Sequence, residues 1–176
     1  MTRVLVAYGS KRGGTAEIAA WIGDELTARG WEAEVRPAAE VDDVDPYDVV
    51  VVGGSLYAGR WHKQARRFVR RHAEELRRRP VWVFSSGPLD HSADEGGLEQ
   101  APGVAKAVRR IGARGETTFG GVLRRDAKGW LAGALAEKTG GDFRRPERVR
   151  AWADEIAADV AVDRGPEAVD ARRRST

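Results

Sequence analysis

Six consecutive residues, Ser10-Lys11-Arg12-Gly13-Gly14-Thr15, set two hydroxyls, two cations and two glycines between the apolar run 4–7 and a segment of helical spacing. Read as strand, loop and helix, with Thr15 opening the helix, this order gathers backbone N–H groups and the hydroxyls of Ser10 and Thr15 at the positive end of a helix dipole. A dianionic phosphate needs such a cradle. Gly9 and Gly14 have the spacing of a Walker loop, but Thr15-Ala16 follows where Lys and Ser or Thr are required. The Gly-x-Gly-x-x-Gly dinucleotide fingerprint is also missing. What remains is Ser-x-x-Gly-x-Thr, which on its residues alone is either a phosphate loop or an ordinary turn with a helix cap.

Two more loops carry chemistry-bearing residues. Gly53-Gly54-Ser55-Leu56-Tyr57-Ala58-Gly59-Arg60-Trp61-His62 offers aromatic walls for a flat ring and flexible backbone for its polar edge. Trp61 reads equally as a ring wall or as packing beside the next helix. His62 reads as a proton donor, an anion contact or a helix cap. Ser85-Ser86-Gly87-Pro88-Leu89-Asp90 is the third loop.

Elements of alternating type must position these loops. Ile18, Ala19, Ile22 and Leu26 recur on one helical face, and Arg29-Gly30 supplies a C-terminal cation and a left-handed cap. Residues 31–35 read as a weak strand. Residues 47–54 read as the central one, because an unbroken valine run implies burial on both faces. Ala65, Phe68, Val69, His72 and Leu76 predict one helix with its arginines turned outward, followed by a strand at 81–84, a helix at 102–111 and a last strand at 117–123. An added helix at 127–138 and a terminal helix carrying Val149, Trp152, Ala153, Ile156 and Val160 complete the pattern. Five strand–helix alternations imply a parallel sheet covered on both faces, whose ligand sits beyond the carboxyl ends of the strands. Residues 1–162 are expected to form one domain, and 163–176 a charged, disordered tail.

The chain has no cysteine, which removes disulfides, thiolate catalysis and thiolate-ligated metals, and no metal site is expected. No apolar run approaches a bilayer span, so a cytoplasmic location is expected. The net charge of +3 is carried almost wholly by clustered arginines. Acidic partners and weak association with a membrane surface stay open, whereas nucleic-acid binding has no support beyond those clusters.

Taken together, Ser10-x-x-Gly13-x-Thr15, the run from Val52 through Gly59 into His62 and Phe68-Val69, and Trp152-Ala153-Asp154-Glu155-Ile156-Ala157 resemble the flavodoxin-domain family. Within it they most resemble the bacterial branch containing the menaquinone-dependent protoporphyrinogen IX dehydrogenases. The resemblance runs over residues 4–160 and implies an α/β flavodoxin-like three-layer sandwich. Its five-stranded parallel sheet has the order 2-1-3-4-5, with an extra helix inserted near the last strand. It implies FMN, with Ser10, Lys11, Arg12, Gly13, Gly14 and Thr15 on the phosphate. Ser55, Leu56, Tyr57, Ala58, Gly59, Ser85, Ser86 and Gly87 would surround the ring. Catalysis then belongs mainly to the flavin, and no protein nucleophile is required. Trp61, His62, Arg124 and Arg125 are the candidate contacts to a quinone- or porphyrinogen-type substrate, the two arginines lying in the inserted segment 123–141. After Gly141 the chain reads as passing directly into its final helix, where that branch has a further short strand. The alternative function is a flavodoxin-type electron carrier serving a redox partner, which the basic charge disfavours.

Overall fold

A computed structural model describes residues 1–10, 13–87, 100–123 and 141–163. The valine-rich segments become strands β1 (Arg3–Gly9) and β3 (Val49–Tyr57), joined through helix α1 (Gly14–Ala28) and strand β2 (Glu32–Pro37). A two-residue strand, β4 (Arg60–Trp61), precedes helices α2 (Lys63–Arg71) and α3 (Ala73–Arg77). Strand β5 (Val81–Ser86), helix α4 (Pro102–Ile111) and strand β6 (Gly115–Phe119) follow, then β7 (Val122–Leu123), β8 (Gly141–Asp142) and helix α5 (Pro146–Asp163).

The main sheet runs β2-β1-β3-β5-β6, with all of these neighbours parallel. This is the expected 2-1-3-4-5 order once the short β4, paired antiparallel with β3, is set aside. Strand side chains alternate between faces with period two. Leu5, Ala7, Val50, Val52, Val81 and Val83 therefore enter one core, under α2, α3 and α4. Val4, Val6, Val49, Val51, Trp82 and Phe84 enter the other, with α1 and α5. The second core closes on three aromatic rings, Phe84, Phe119 and Trp152, with centroids 5.7–6.2 Å apart.

Local signals acted as their chemistry requires. Gly30 caps α1 at φ +81°, and its amide donates to the Thr27 carbonyl at 2.9 Å. Pro102 opens α4, where its missing N–H costs nothing. The single helix expected through Leu76 is instead two, because His72 leaves helical geometry at φ −106°, ψ 25°. The four-residue spacing survives the break, so Phe68, His72 and Leu76 all stay buried, with the Phe68 and His72 rings 4.9 Å apart.

The last strand also differs from expectation. Pairing with β5 ends at Phe119, and Val122–Leu123 pairs antiparallel with Gly141–Asp142. The direct passage from Gly141 into the final helix is thereby corrected: a short strand stands there. The added helix at 127–138 lies outside the described residues. Helix α5 continues through Asp163, past the expected domain end at 162, and residues 164–176 lie outside the description.

Candidate functional site

Parallel pairing aligns the carboxyl ends of β1, β3 and β5: Tyr8 opposite Gly53, Gly53 opposite Phe84, and Ser55 opposite Ser86. The three predicted loops therefore leave the sheet side by side. In the first, Gly13 adopts φ +86°, a left-handed conformation that glycine enters without steric penalty, and it caps α1. The Gly13 amide donates to Ser10 Oγ at 3.1 Å, and its carbonyl accepts the first helical bond from Glu17 at 3.1 Å. The leading N–H groups of α1 have no intrahelical acceptor and are available to an anion. Lys11 and Arg12 lie outside the described residues.

Thr15 does not cap the helix. It is buried, and its hydroxyl pairs with Ser86 Oγ at 2.7 Å, tying the first turn of α1 to the end of β5. The adjacent Ser85 points to the opposite face. Among the described residues its buried Oγ has no hydrogen-bond partner, and buried polar atoms are rarely left so unless a ligand or water satisfies them.

The second loop is a hairpin that the sequence reading did not foresee. Tyr57 pairs with Arg60 and Leu56 with Trp61 across a two-residue turn, Ala58-Gly59, at φ +48° and +69°. Two positive φ values are the signature of a type I′ hairpin turn. Asn-Gly would have announced it. Alanine hides it, at a strain of about 1 kcal/mol. Tyr57 stands 66 % exposed at the rim and can cover a ring. Trp61 is corrected as a substrate contact: it is 1 % exposed within the core, and its Nε1 donates to the Gly54 carbonyl at 3.1 Å. It anchors the hairpin and has no face left for a ligand. His62 caps α2, its Nδ1 accepting from the Gln64 amide at 3.4 Å.

A cleft of about 470 Å³ joins the second and third loops, walled by Leu56, Ala58, Gly59, Ser85 and Gly87 from the expected set. Its remaining wall holds Gln100, Glu116 and Thr118, which were missed because none belongs to a motif and β6 brings two of them there only through sheet pairing. Burial pushes the Glu116 carboxyl above its ordinary value, and Gln100 Nε2 donates to its Oε2. A raised carboxyl pKa means that the folded state holds the proton more tightly than the unfolded one. The associated stability is present below pH 4.5 and is lost as pH rises through the raised value. Glu116→Gln should flatten this part of the melting-temperature profile, read by thermal unfolding from about pH 4 to 8.

The β7–β8 hairpin was also missed as a support. Val122 packs so closely on Gly14 that a Cβ there would come within 2.6 Å of Val122 Cγ1. Arg144, whose side chain is 5 % exposed, bridges Glu17 of α1 at 2.7 Å and Asp142 of β8 at 2.6 Å. The base of the inserted segment thus buttresses the first loop. Arg124 and Arg125 lie outside the described residues. Among those residues no helix is long and apolar enough to cross a membrane.

Comparison with known proteins agrees with this geometry. Protoporphyrinogen IX dehydrogenase [quinone] of Escherichia coli K12 is 31% identical over 85 residues, 47% of this chain and 47% of that protein. The chain therefore spans about half the length of the curated relatives it matches. Oxidised flavodoxin 2 from Bacillus cereus superposes with a TM-score of 0.62 at 20% identity, over 90% of this chain and 99% of that one. Rubredoxin oxygen:oxidoreductase from Desulfovibrio gigas does so with a TM-score of 0.62 at 12% identity, over 94% of this chain and 37% of that one. These two likenesses speak for the fold alone. The family described as Flavodoxin domain matches residues 5–135, nearly the whole of the sheet and all three loops, and the chain belongs to it.

Proposed function

We propose that the protein is a cytoplasmic FMN-dependent oxidoreductase acting on a quinone- or porphyrinogen-type substrate. Membership of the flavodoxin-domain family implies a flavin cofactor. The observation that carries the FMN reading is the meeting of three loops at one sheet edge: a helix-capping glycine loop, an exposed tyrosine on a tight hairpin, and a buried serine hydroxyl without a partner. Ser10, Gly13, Gly14 and Thr15, with Lys11 and Arg12 between them, hold the phosphate. Ser55, Leu56, Tyr57, Ala58, Gly59, Ser85, Ser86 and Gly87 hold the ring.

When bound, the flavin supplies the redox chemistry. The protein's part is positional. The α1 amides and the Thr15 hydroxyl fix the phosphate end, and the Ser85 hydroxyl gains a partner from a polar edge entering the cleft. Glu116 places an ionisable carboxyl on the cleft wall, where its negative charge makes reduction harder and protonation removes that effect. The porphyrinogen and quinone reading is supported by the partial sequence match to the E. coli dehydrogenase and by the seating of the inserted segment's base against the phosphate loop.

Fluorescence titration of the FMN-free protein tests the cofactor, with tight one-to-one binding of FMN and much weaker binding of riboflavin expected. Anaerobic turnover of protoporphyrinogen with menaquinone then tests the substrate. Tight FMN binding without turnover would replace the enzyme reading with that of an electron carrier.

A further inference from the structure

Helix α2 carries Lys63, Arg66, Arg67 and Arg70 at positions i, i+3, i+4 and i+7, and all four are exposed. This spacing lines up side chains on one helical face, over about 10 Å. Arg60, also exposed, extends the line to the hairpin, where it pairs in register with Tyr57. The stripe therefore begins at the rim of the flavin cleft, beside the Ala58-Gly59 turn that walls it.

Farther along, the acidic loop after β2 supplies Asp42 to Arg71 at 3.0 Å and Asp45 to Arg79 at 2.8 Å. Among the described residues, none of the five stripe cations has a carboxylate partner. Like charges three and four residues apart destabilise a helix, and α2 has no acidic residue in its first turn to offset them. A stripe that costs local stability and remains unpaired is complementary to charge on another molecule.

We propose that this stripe is the docking surface for a redox protein bearing an acidic face around its own one-electron centre, with Tyr57 and the cleft rim brought against that centre. This rests on the flavin reading and names its partner. Each guanidinium in the row can form a bidentate pair with a fixed carboxylate on a protein surface. Anionic lipid would also attract these cations, but a bilayer holds a surface most firmly where apolar residues insert beside the charges. Of the exposed large hydrophobic side chains among the described residues, Met1, Tyr57 and Val162, only Tyr57 adjoins the stripe in sequence. In each encounter one electron leaves the partner's centre, which is oxidised, and enters the bound flavin, which is reduced. No bond forms or breaks.

The test uses a reduced acidic [2Fe–2S] ferredoxin as probe, with stopped-flow absorbance of the FMN-loaded protein. The rate constant should fall about tenfold or more between about 0.05 and 0.5 M salt. The triple variant Arg66→Ala, Arg67→Ala, Arg70→Ala should lose a similar factor at low salt and most of the salt dependence, with FMN affinity unchanged. Calorimetric titration of the FMN-free protein with oxidised ferredoxin reads the same stripe independently, so weak FMN binding would sink the flavin reading without deciding this one. Equal rates for both proteins, or no salt dependence, would overturn the proposal. So would stripe-dependent binding to phosphatidylglycerol vesicles without ferredoxin association, which would assign the surface to anionic lipid.

Discussion

Replacing Thr15 with Asp should weaken FMN binding by about 100-fold or more, equivalent to about 2.7 kcal/mol. Thr15 lies in the first turn of α1, directly after the glycines, with its hydroxyl on Ser86 at 2.7 Å. A carboxylate at that position would meet a dianion among dipoles arranged to favour negative charge, and it would compete with the phosphate for the same amides. Thr15→Ser keeps the hydroxyl and should hold affinity within a few-fold. Thermal unfolding of both variants separates a lost ligand from a lost fold. An Asp variant that binds FMN as the parent does would show that this loop is not the phosphate cradle.

Trp61→Ala should be the most damaging single truncation near the site, costing about 3–5 kcal/mol. The indole is buried against the core on the α2 side, and its N–H satisfies a carbonyl of β3. Removing it leaves a cavity beneath the hairpin and takes the indole donor from the Gly54 carbonyl. The Leu56–Trp61 and Tyr57–Arg60 pairs then lose their anchor, and FMN affinity should fall with stability. Trp61→Phe retains most of the packing and should cost only about 1 kcal/mol for the lost hydrogen bond. Urea denaturation of the three proteins checks this order. Were Trp61 a flavin wall, the Phe variant would instead keep its stability and change the fluorescence of bound flavin.

These two residues show where the sequence was readable. Thr15 belongs to a motif whose spacing announces a helix start, so its neighbourhood could be named in advance. Its contact with Ser86 joins positions 71 apart and could not. Trp61 satisfied two readings equally, because an aromatic beside glycines suits a ring wall and a core alike. The hairpin that buries it depends on an alanine at φ +48°, a conformation its residue type does not advertise.

Local pattern was sufficient for the alternation of strand and helix, the doubly buried Val49–Val52 run and the identity of the three loops, whereas the strand order was implied by the flavodoxin-domain resemblance. Apolar periodicity and turn chemistry act within a few residues and leave their mark on the chain. Tertiary structure decided which hydroxyl is satisfied and which is left without a partner. It also decided that Gln100, Glu116 and Thr118 share a cleft with Ser85, and that Val122 and Arg144 brace the start of α1 beside the first loop. Those outcomes depend on register between distant strands, where a shift of one residue exchanges the faces of Ser85 and Ser86.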